Sequence, residues 1–134
     1  MSNAIASEST VTVRYQVRDI DRSTAFYTER LAFRLGAKHG SVLADVVRGN
    51  LRLILSGPGS SGSRAMPDGR QQEPGGWNRI VLTVDDLATE IRRLEGTGVR
   101  FRNQTEQGPG GKQVLIEDPD GNPIELHEYP RPSV

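Results

Sequence analysis

The residues of this chain best suited to chemistry are a carboxylate and an imidazole near its C-terminus. Glu125 and His127 stand two positions apart in Ile124 to Tyr129, a segment that predicts a β-strand. Side chains two apart on a strand share one face. Because an imidazole titrates near neutral pH, His127 is the best general acid or base, with Glu125 beside it. The alternative for His127 is a partly exposed strand histidine without a catalytic partner.

A polar surface is predicted from two further alternating segments, Val11 to Val17 and Ile80 to Val84. If their apolar alternates lie under helices, the remaining side chains face a ligand. The predicted ligand-facing residues are Thr12, Arg14, Gln16, Arg52, Ile54, Arg79, Val81 and Thr83, joined by Glu125 and His127. Arginine forks suit carboxylate, phosphate or enolate oxygens. The set therefore predicts a small organic ligand with at least one anionic or carbonyl oxygen.

Simpler roles exist for several of these residues. Arg79 and Glu125 can form a structural ion pair, since buried charges are normally paired. Trp77 ends a Gly-rich stretch and either covers a ligand or anchors that stretch on the core; burial statistics favour anchoring. The serines of the same stretch lack a His or Asp placed to activate them. We interpret them as polar residues of a flexible loop: Ser60, Ser61 and Ser63.

Composition excludes several classes of function. The 134 residues fit one compact unit, or two small halves that share a core. Seventeen Lys and Arg balance seventeen Asp and Glu, which removes the composition-level case for nucleic acid or an anionic membrane as partner. Without Cys there is no disulfide, thiolate nucleophile or Cys-type zinc site. No stretch is long and apolar enough to span a bilayer, and we expect a cytoplasmic protein.

The elements that would position these residues occur twice. A strand over Val11 to Val17, a helix over Asp21 to Leu31 and three short strands make the first half. After the Gly-rich stretch, a strand, a helix through Leu87, Ile91 and Leu94, and three strands follow again. A shift of 67 positions, as from Val17 to Val84, aligns strand, cap and helix together.

This repeat predicts an α+β fold of two tandem βαβββ modules in a curved half-barrel. The domain would span residues 11–129, with modules at about 11–56 and 77–129, a linker at about 57–76, and flexible tails at 1–10 and 130–134. A four-stranded sheet with a helix on one face leaves its other face bare, so pairing two such sheets would close a cleft.

Three segments carry a resemblance to a known family: Val17 to Tyr27, Val84 to Leu87, and Glu117 to Leu126, which reads EDPDGNPIEL. They closely resemble the vicinal oxygen chelate superfamily, which includes glyoxalases, bleomycin-resistance proteins and extradiol dioxygenases. The last segment is the most specific. The resemblance implies paired βαβββ modules, a homodimer, and a ligand site on the concave sheet.

In metal-dependent members, the first and last strands of each module supply the ligands of a divalent cation. Carried onto this chain, those positions fall on Thr12 and Arg79 from the first strands, and on Arg52 or Ile54 and Glu125 from the last. Only Glu125 is a suitable ligand, because Thr binds weakly and Arg repels a cation. The resemblance therefore predicts no metal cofactor; a divalent metal is the alternative if the strand register differs.

Three functions remain open. The first is a metal-free protein that binds a small molecule, similar to the drug-sequestering members. The second is a metal-independent isomerase, lyase or cyclase in which Glu125 or His127 moves a proton while Arg79 or Arg52 stabilises an oxyanion. The third is a divalent-metal lyase or dioxygenase.

Overall fold

The structure is a computed structural model that describes residues 9–131. The predicted tails at 1–10 and 130–134 fall mostly outside these residues. The chain divides into a first unit that ends at Glu73 and a second unit that begins at Pro74. This division lies within the predicted linker. Across residues 9–131, no helix has both the length and the apolar character needed to cross a bilayer.

The first unit is a four-stranded sheet with one helix. Its elements are β1 (Val11–Gln16), α1 (Ile20–Arg30), β2 (Arg34–His39), β3 (Leu43–Arg48) and β4 (Leu51–Ser56). The strand order is β1-β4-β3-β2, with β1 parallel to β4 and the other pairs antiparallel. A parallel neighbour for β1 requires a crossover, which α1 begins. The sheet therefore keeps a face without a helix.

The second unit repeats this arrangement with one strand more. Its elements are β5 (Ile80–Thr83), α2 (Leu87–Leu94), β6 (Arg100–Phe101), β7 (Glu106–Gly108), β8 (Gly111–Glu117) and β9 (Pro123–Glu128). The order is β5-β9-β8-β6, and β7 pairs with β8. The predicted α+β fold with βαβββ order is confirmed. Strand β7 was not predicted, because its three exposed residues, EQG, carry no apolar alternation.

Both helices begin at matching aspartates. Asp19 caps α1 by accepting a hydrogen bond from the Arg22 amide, and Asp86 caps α2 by accepting one from the Thr89 amide. These aspartates are 67 positions apart, which is the shift predicted from the sequence. Each helix thus enters its sheet at the equivalent point.

The cores lie between each helix and its sheet. Tyr27 of α1 and Leu94 of α2 hold matching positions and are both fully buried. In the first sheet, Leu53 and Leu55 alternate inward on β4; in the second, Ile124 and Leu126 do so on β9. The alternate side chains of the same strands point away from the helices, and they form the candidate site.

Candidate functional site

Strand register places the predicted residues on the helix-free face of each sheet. In the first unit, Arg14 lies beside Ile54 and Thr12 beside Arg52. In the second, Val81 lies beside Glu125 and Thr83 beside His127. Neighbouring residues in register point to the same face. We call these the first face and the second face.

The same registers settle which residue of β4 corresponds to Glu125. Arg14 and Val81 are equivalent under the shift of 67 positions, and their register partners are Ile54 and Glu125. The sequence left Arg52 and Ile54 open as the counterpart of Glu125. Ile54 is that counterpart, whereas Arg52 matches Pro123.

Arg79 and Glu125 form an ion pair on the second face. The Nε and Nη2 atoms of Arg79 donate to Oε1 of Glu125 at 3.1 and 2.9 Å, and Nη1 donates to the carbonyl of Trp77. The Glu125 side chain is 9% exposed and the Arg79 side chain 27%. The charge of Arg79 is therefore balanced within its own sheet.

His127 extends this pair into a chain of three ionisable groups. Its Nδ1 lies 2.8 Å from Oε2 of Glu125, and its Nε2 lies 2.8 Å from the carbonyl oxygen of Gly110. Tyr129 packs against the ring, with centroids 4.4 Å apart. Because both ring nitrogens face acceptors, the doubly protonated imidazolium satisfies both contacts.

Titration of the two groups follows from this geometry. The hydrogen bond that His127 donates to Glu125, with the one it donates to the Gly110 carbonyl, raises the pKa of His127 above its ordinary 6.5, against a smaller opposing effect of desolvation. Burial acts to raise the pKa of Glu125, but hydrogen bonds from His127 and Arg79 outweigh it and hold that pKa below 4.5. At neutral pH the carboxylate is therefore charged.

A small open cavity of about 200 Å³ lies beside His127. Its lining consists of the β7–β8 turn, Glu106 to Gly111 without Pro109, together with Gln113 and His127. This turn joins two paired strands, and the carbonyl oxygen of Gly110 lies on His127.

The first face has its own ion pair. Nε and Nη2 of Arg52 donate to Oδ2 of Asp45 at 3.0 and 2.7 Å, while Oδ1 of Asp45 accepts from the Ala37 amide. Burial acts to raise the pKa of Asp45, yet these bonds lower it below 3.8. Sequence analysis missed Asp45, although alternation along LADVVR was the signal that could have placed it here.

Arg14 differs from Arg52 and Arg79. Its Nη1 donates to the hydroxyl of Ser56 at 3.0 Å. Among residues 9–131, no carboxylate pairs with it. Gly62 lies directly against the guanidinium, so that a Cβ at this position would overlap Nη1 and Cζ.

A cluster of three serines supports Arg14. The hydroxyls of Ser56, Ser60 and Ser63 lie 2.7 to 3.0 Å from one another, and Ser63 donates to the amide oxygen of Gln16 at 2.6 Å. The amide nitrogen of Gln16 donates to the Gly62 carbonyl. Ser60 is buried. The interpretation of Ser60 and Ser63 as polar loop residues did not include these contacts, of which that between Ser63 and Gln16 joins residues distant in sequence.

Trp77 also departs from expectation. Its side chain is 71% exposed, so it is not buried as an anchor. One face of the indole lies 4.8 Å from the guanidinium of Arg102, which is held by Glu117 and by the carbonyls of Gly76 and Gly121. The backbone of this stretch, rather than the indole, makes the anchoring contacts.

The amino-acid sequence matches one protein family over most of its length. The profile described as "Glyoxalase/Bleomycin resistance protein/Dioxygenase superfamily" matches residues 10–126, nearly the whole described chain. The chain belongs to this superfamily.

Individual members of the superfamily resemble the chain at moderate identity. TnmS3, an antibiotic binding protein from Streptomyces sp. CB03234, is 26% identical with a TM-score of 0.71, over 96% of this chain and all of that one. A lactoylglutathione lyase from Agrobacterium tumefaciens is also 26% identical with a TM-score of 0.71, over 91% and 94%. A probable chloroplastic lactoylglutathione lyase from Arabidopsis thaliana is 29% identical over 87% of this chain, which spans about a third (34%) of that protein.

The superfamily's metal-ligand positions do not suit a cation here. They fall on Thr12 and Ile54 in the first unit and on Arg79 and Glu125 in the second. These supply one neutral hydroxyl, an alkyl group, a guanidinium and a single carboxylate, and that carboxylate already accepts from Arg79 and His127. A divalent cation needs several oxygen or nitrogen ligands at once. This donor set does not fit the metal of the metal-dependent members.

Proposed function

We propose that this superfamily member binds a small organic molecule, with an anionic or carbonyl oxygen, on the helix-free faces of its sheets and without a resident metal. The observation that carries the proposal is the ion pair of Arg79 with Glu125. A guanidinium holds the carboxylate at the position where metal-dependent relatives bind their cation. The face is consequently a surface for an organic ligand.

The composition of the faces supports this. On the first face, polar groups such as Arg14 and Gln16 are fixed by hydrogen bonds, and on the second face the apolar side chain of Val81 is 47% exposed. Ligand sites combine apolar surface with a few placed polar groups in this way. Trp77 adds an exposed aromatic surface.

The superfamily includes both binding proteins and enzymes, and similarity alone does not separate them. TnmS3 is described as an antibiotic binding protein and the Agrobacterium tumefaciens protein as a lyase, at equal identity to this chain. The unsuitable donor set favours binding. We further propose a cytoplasmic homodimer that takes a small molecule and neither nucleic acid nor membrane, in keeping with its zero net charge.

Titration calorimetry with chelator-treated protein tests the proposal. The probes are aromatic carboxylates, namely benzoate, salicylate and 2-naphthoate, and their methyl esters. Val81→Arg places a bulky charge on the second face, while Ala88→Arg places the same charge on the exposed surface of α2. We expect at least one probe to bind the wild-type protein without metal. Val81→Arg should weaken this binding, whereas Ala88→Arg should leave it unchanged. Binding restored only by added Ni²⁺, Zn²⁺ or Mn²⁺ contradicts the proposal.

A second candidate function is supported by the contact of His127 with Glu125. An imidazolium oriented by a carboxylate is an arrangement suited to proton donation. A metal-independent isomerase, lyase or cyclase would use His127 as the acid, after its Nε2 leaves the Gly110 carbonyl. His127→Gln then removes turnover of a probe that wild type converts, with little change in its affinity. A pure binding protein converts no probe.

A further inference from the structure

We infer that Arg14 is the anion-binding residue of the proposed site and that the group it binds is a carboxylate of the ligand. This inference rests on the proposed function and adds to it the position and chemistry of the polar contact. The sequence places Arg14, Arg52 and Arg79 together among the predicted ligand-facing residues, and only Arg79 or Arg52 was expected to stabilise an oxyanion. The structure separates them.

Arg52 and Arg79 are already paired. Each places two nitrogens on one carboxylate oxygen, of Asp45 and Glu125 respectively, at 2.7 to 3.1 Å. Both carboxylates have lowered pKa values and are charged at neutral pH. An incoming anion would have to displace a neighbouring carboxylate from a formed two-nitrogen contact, which leaves that group buried without its partner.

Arg14 has no such competitor within residues 9–131. A guanidinium carries five N–H donors, and the contact to Ser56 uses one of them. The residue is exposed on the first face. It therefore retains both its charge and free donors on the surface proposed to bind ligand.

The serine cluster orients this guanidinium. Ser63 donates its proton to Gln16, and the hydroxyls of Ser56 and Ser60 have two protons for the three contacts among the serines. Ser56 accepts from Arg14. Because the three hydroxyl protons have acceptors in Gln16 and in the other serines, the serines position Arg14 and are not themselves the anion's donors.

Gly62 limits the position of the guanidinium from the other side. A Cβ at residue 62 would overlap Nη1 and Cζ of Arg14. Only a glycine permits this approach. A held guanidinium loses less rotational freedom on binding than a mobile one.

A single uncompensated guanidinium selects for a group with one negative charge and two oxygens. The planar fork of arginine matches a carboxylate in two parallel hydrogen bonds. The equivalent position of the second face holds Val81, which offers neither charge nor donors. Of these two equivalent positions, only the one on the first face therefore offers a contact to a carboxylate.

Titration calorimetry of the probe pairs tests this, with acid and methyl ester compared for each variant. Arg14→Gln removes the charge. Gly62→Ala displaces the guanidinium while keeping it, and a flexible side-chain end can move without unfolding the protein. Arg34→Gln is the control, because it removes the same charge from β2, the outer strand of the same sheet face. Among residues 9–131, no side chain forms a hydrogen bond or ion pair with Arg34. Ser61→Ala alters the exposed neighbour of Gly62.

We expect Arg14→Gln to weaken the acids at least tenfold and the esters less than twofold, which abolishes the acid preference. Gly62→Ala gives a smaller loss in the same direction, and Arg34→Gln and Ser61→Ala give almost none. Equal loss in Arg14→Gln and Arg34→Gln overturns the inference, because a diffuse field would then explain binding. The inference is also overturned if the acids bind Arg14→Gln as tightly as they bind wild type. In that case the proposed function still stands, because the ligand still binds. Failure of every acid and ester to bind wild type overturns the proposed function itself.

Discussion

Ile54 and Glu125 occupy the same register position in their respective sheets, one as an alkyl side chain and the other as a carboxylate bound to Arg79 and His127. An alkyl group cannot ligate a cation, so the first unit has no carboxylate where the second has one. The difference bears directly on metal binding.

We therefore expect the purified protein to contain far less than one equivalent of Mn, Fe, Ni or Zn per chain. Added metal should not raise its melting temperature. Elemental analysis and thermal melts with and without chelator measure this, with Glu125→Gln as the variant that removes the one matching ligand. Near-stoichiometric metal in wild type that disappears in Glu125→Gln would show that the carboxylate leaves Arg79 for a cation.

Stability should depend on pH through His127. Its folded pKa is raised, so its contribution is fully present below the unfolded value of 6.5 and is lost as the pH rises through the folded value. The pKa of Glu125 is lowered, so its contribution is present above 4.5 and is lost on acidification through the folded value. Urea unfolding from pH 4 to 9 should show the fall on the alkaline side in wild type. His127→Gln should flatten that fall; the same alkaline slope in both proteins would assign it to other groups.

Removing the Arg79 side chain should destabilise the protein more than replacing it by another cationic side chain. Arg79→Ala leaves the nearly buried carboxylate of Glu125 with His127 as its charged partner, and we expect a loss of about 2 kcal/mol in the free energy of unfolding. Arg79→Lys keeps the charge without the two-nitrogen contact and should lose about half of that. Arg79→Ala combined with Glu125→Gln should lose less than the two single changes added together. Strict additivity in denaturant melts would mean that the pair is not coupled.

The hairpin beside His127 depends on one glycine and not on its neighbour. Gly111 has φ +117°, and a Cβ there would overlap the carbonyl oxygen of Glu128, whereas a Cβ on Gly110 meets nothing within 4 Å. We expect Gly111→Ala to destabilise the protein by about 2 kcal/mol and to shift the NMR titration of His127. Gly110→Ala keeps its carbonyl on His127 and should change neither. Equal effects of both substitutions would locate the cost in general loss of turn flexibility.

We expect the ion pair with Asp45 to keep Arg52 from binding an anion. Asp45→Asn retains an oxygen for the Ala37 amide and removes the charge opposite Arg52. We expect this variant to bind benzoate or 2-naphthoate several-fold more tightly than wild type, because a second guanidinium becomes available on the first face. Calorimetry with the acid and its methyl ester measures the gain; a gain for the ester of the same size would point to a change in shape instead of charge.

Much of the fold could be predicted because local signals repeat. The N-cap aspartates, the helical spacing from Leu87 to Leu94 and the alternation of β1 all depend on a few neighbouring residues. Strand β7 could not be predicted, since its pairing with β8 depends on a turn and not on an apolar pattern. The predicted α+β class was still correct, because β7 only adds one short strand to an existing sheet.

The candidate site was predicted less completely. Alternation alone placed Arg14, Glu125 and His127 on helix-free faces, since the period of a strand fixes the side of each residue. It could not show which arginines are paired, because Asp45 comes from β3, and it could not show the serine cluster, because Ser60 and Ser63 come from a Gly-rich stretch without alternation. Register between distant strands decided Ile54 over Arg52, and a sequence read one segment at a time does not contain that register.

In the repeated fold, Asp19 and Asp86 have the same structural role, and so do Tyr27 and Leu94. By contrast, the position of Arg14 in the first unit corresponds to Val81 in the second, and that of Thr12 corresponds to Arg79. The positions that maintain the fold are thus different from the positions that would contact a ligand. New ligand preferences can arise by exchanging surface side chains in one copy at a time, without disturbing the residues on which folding depends.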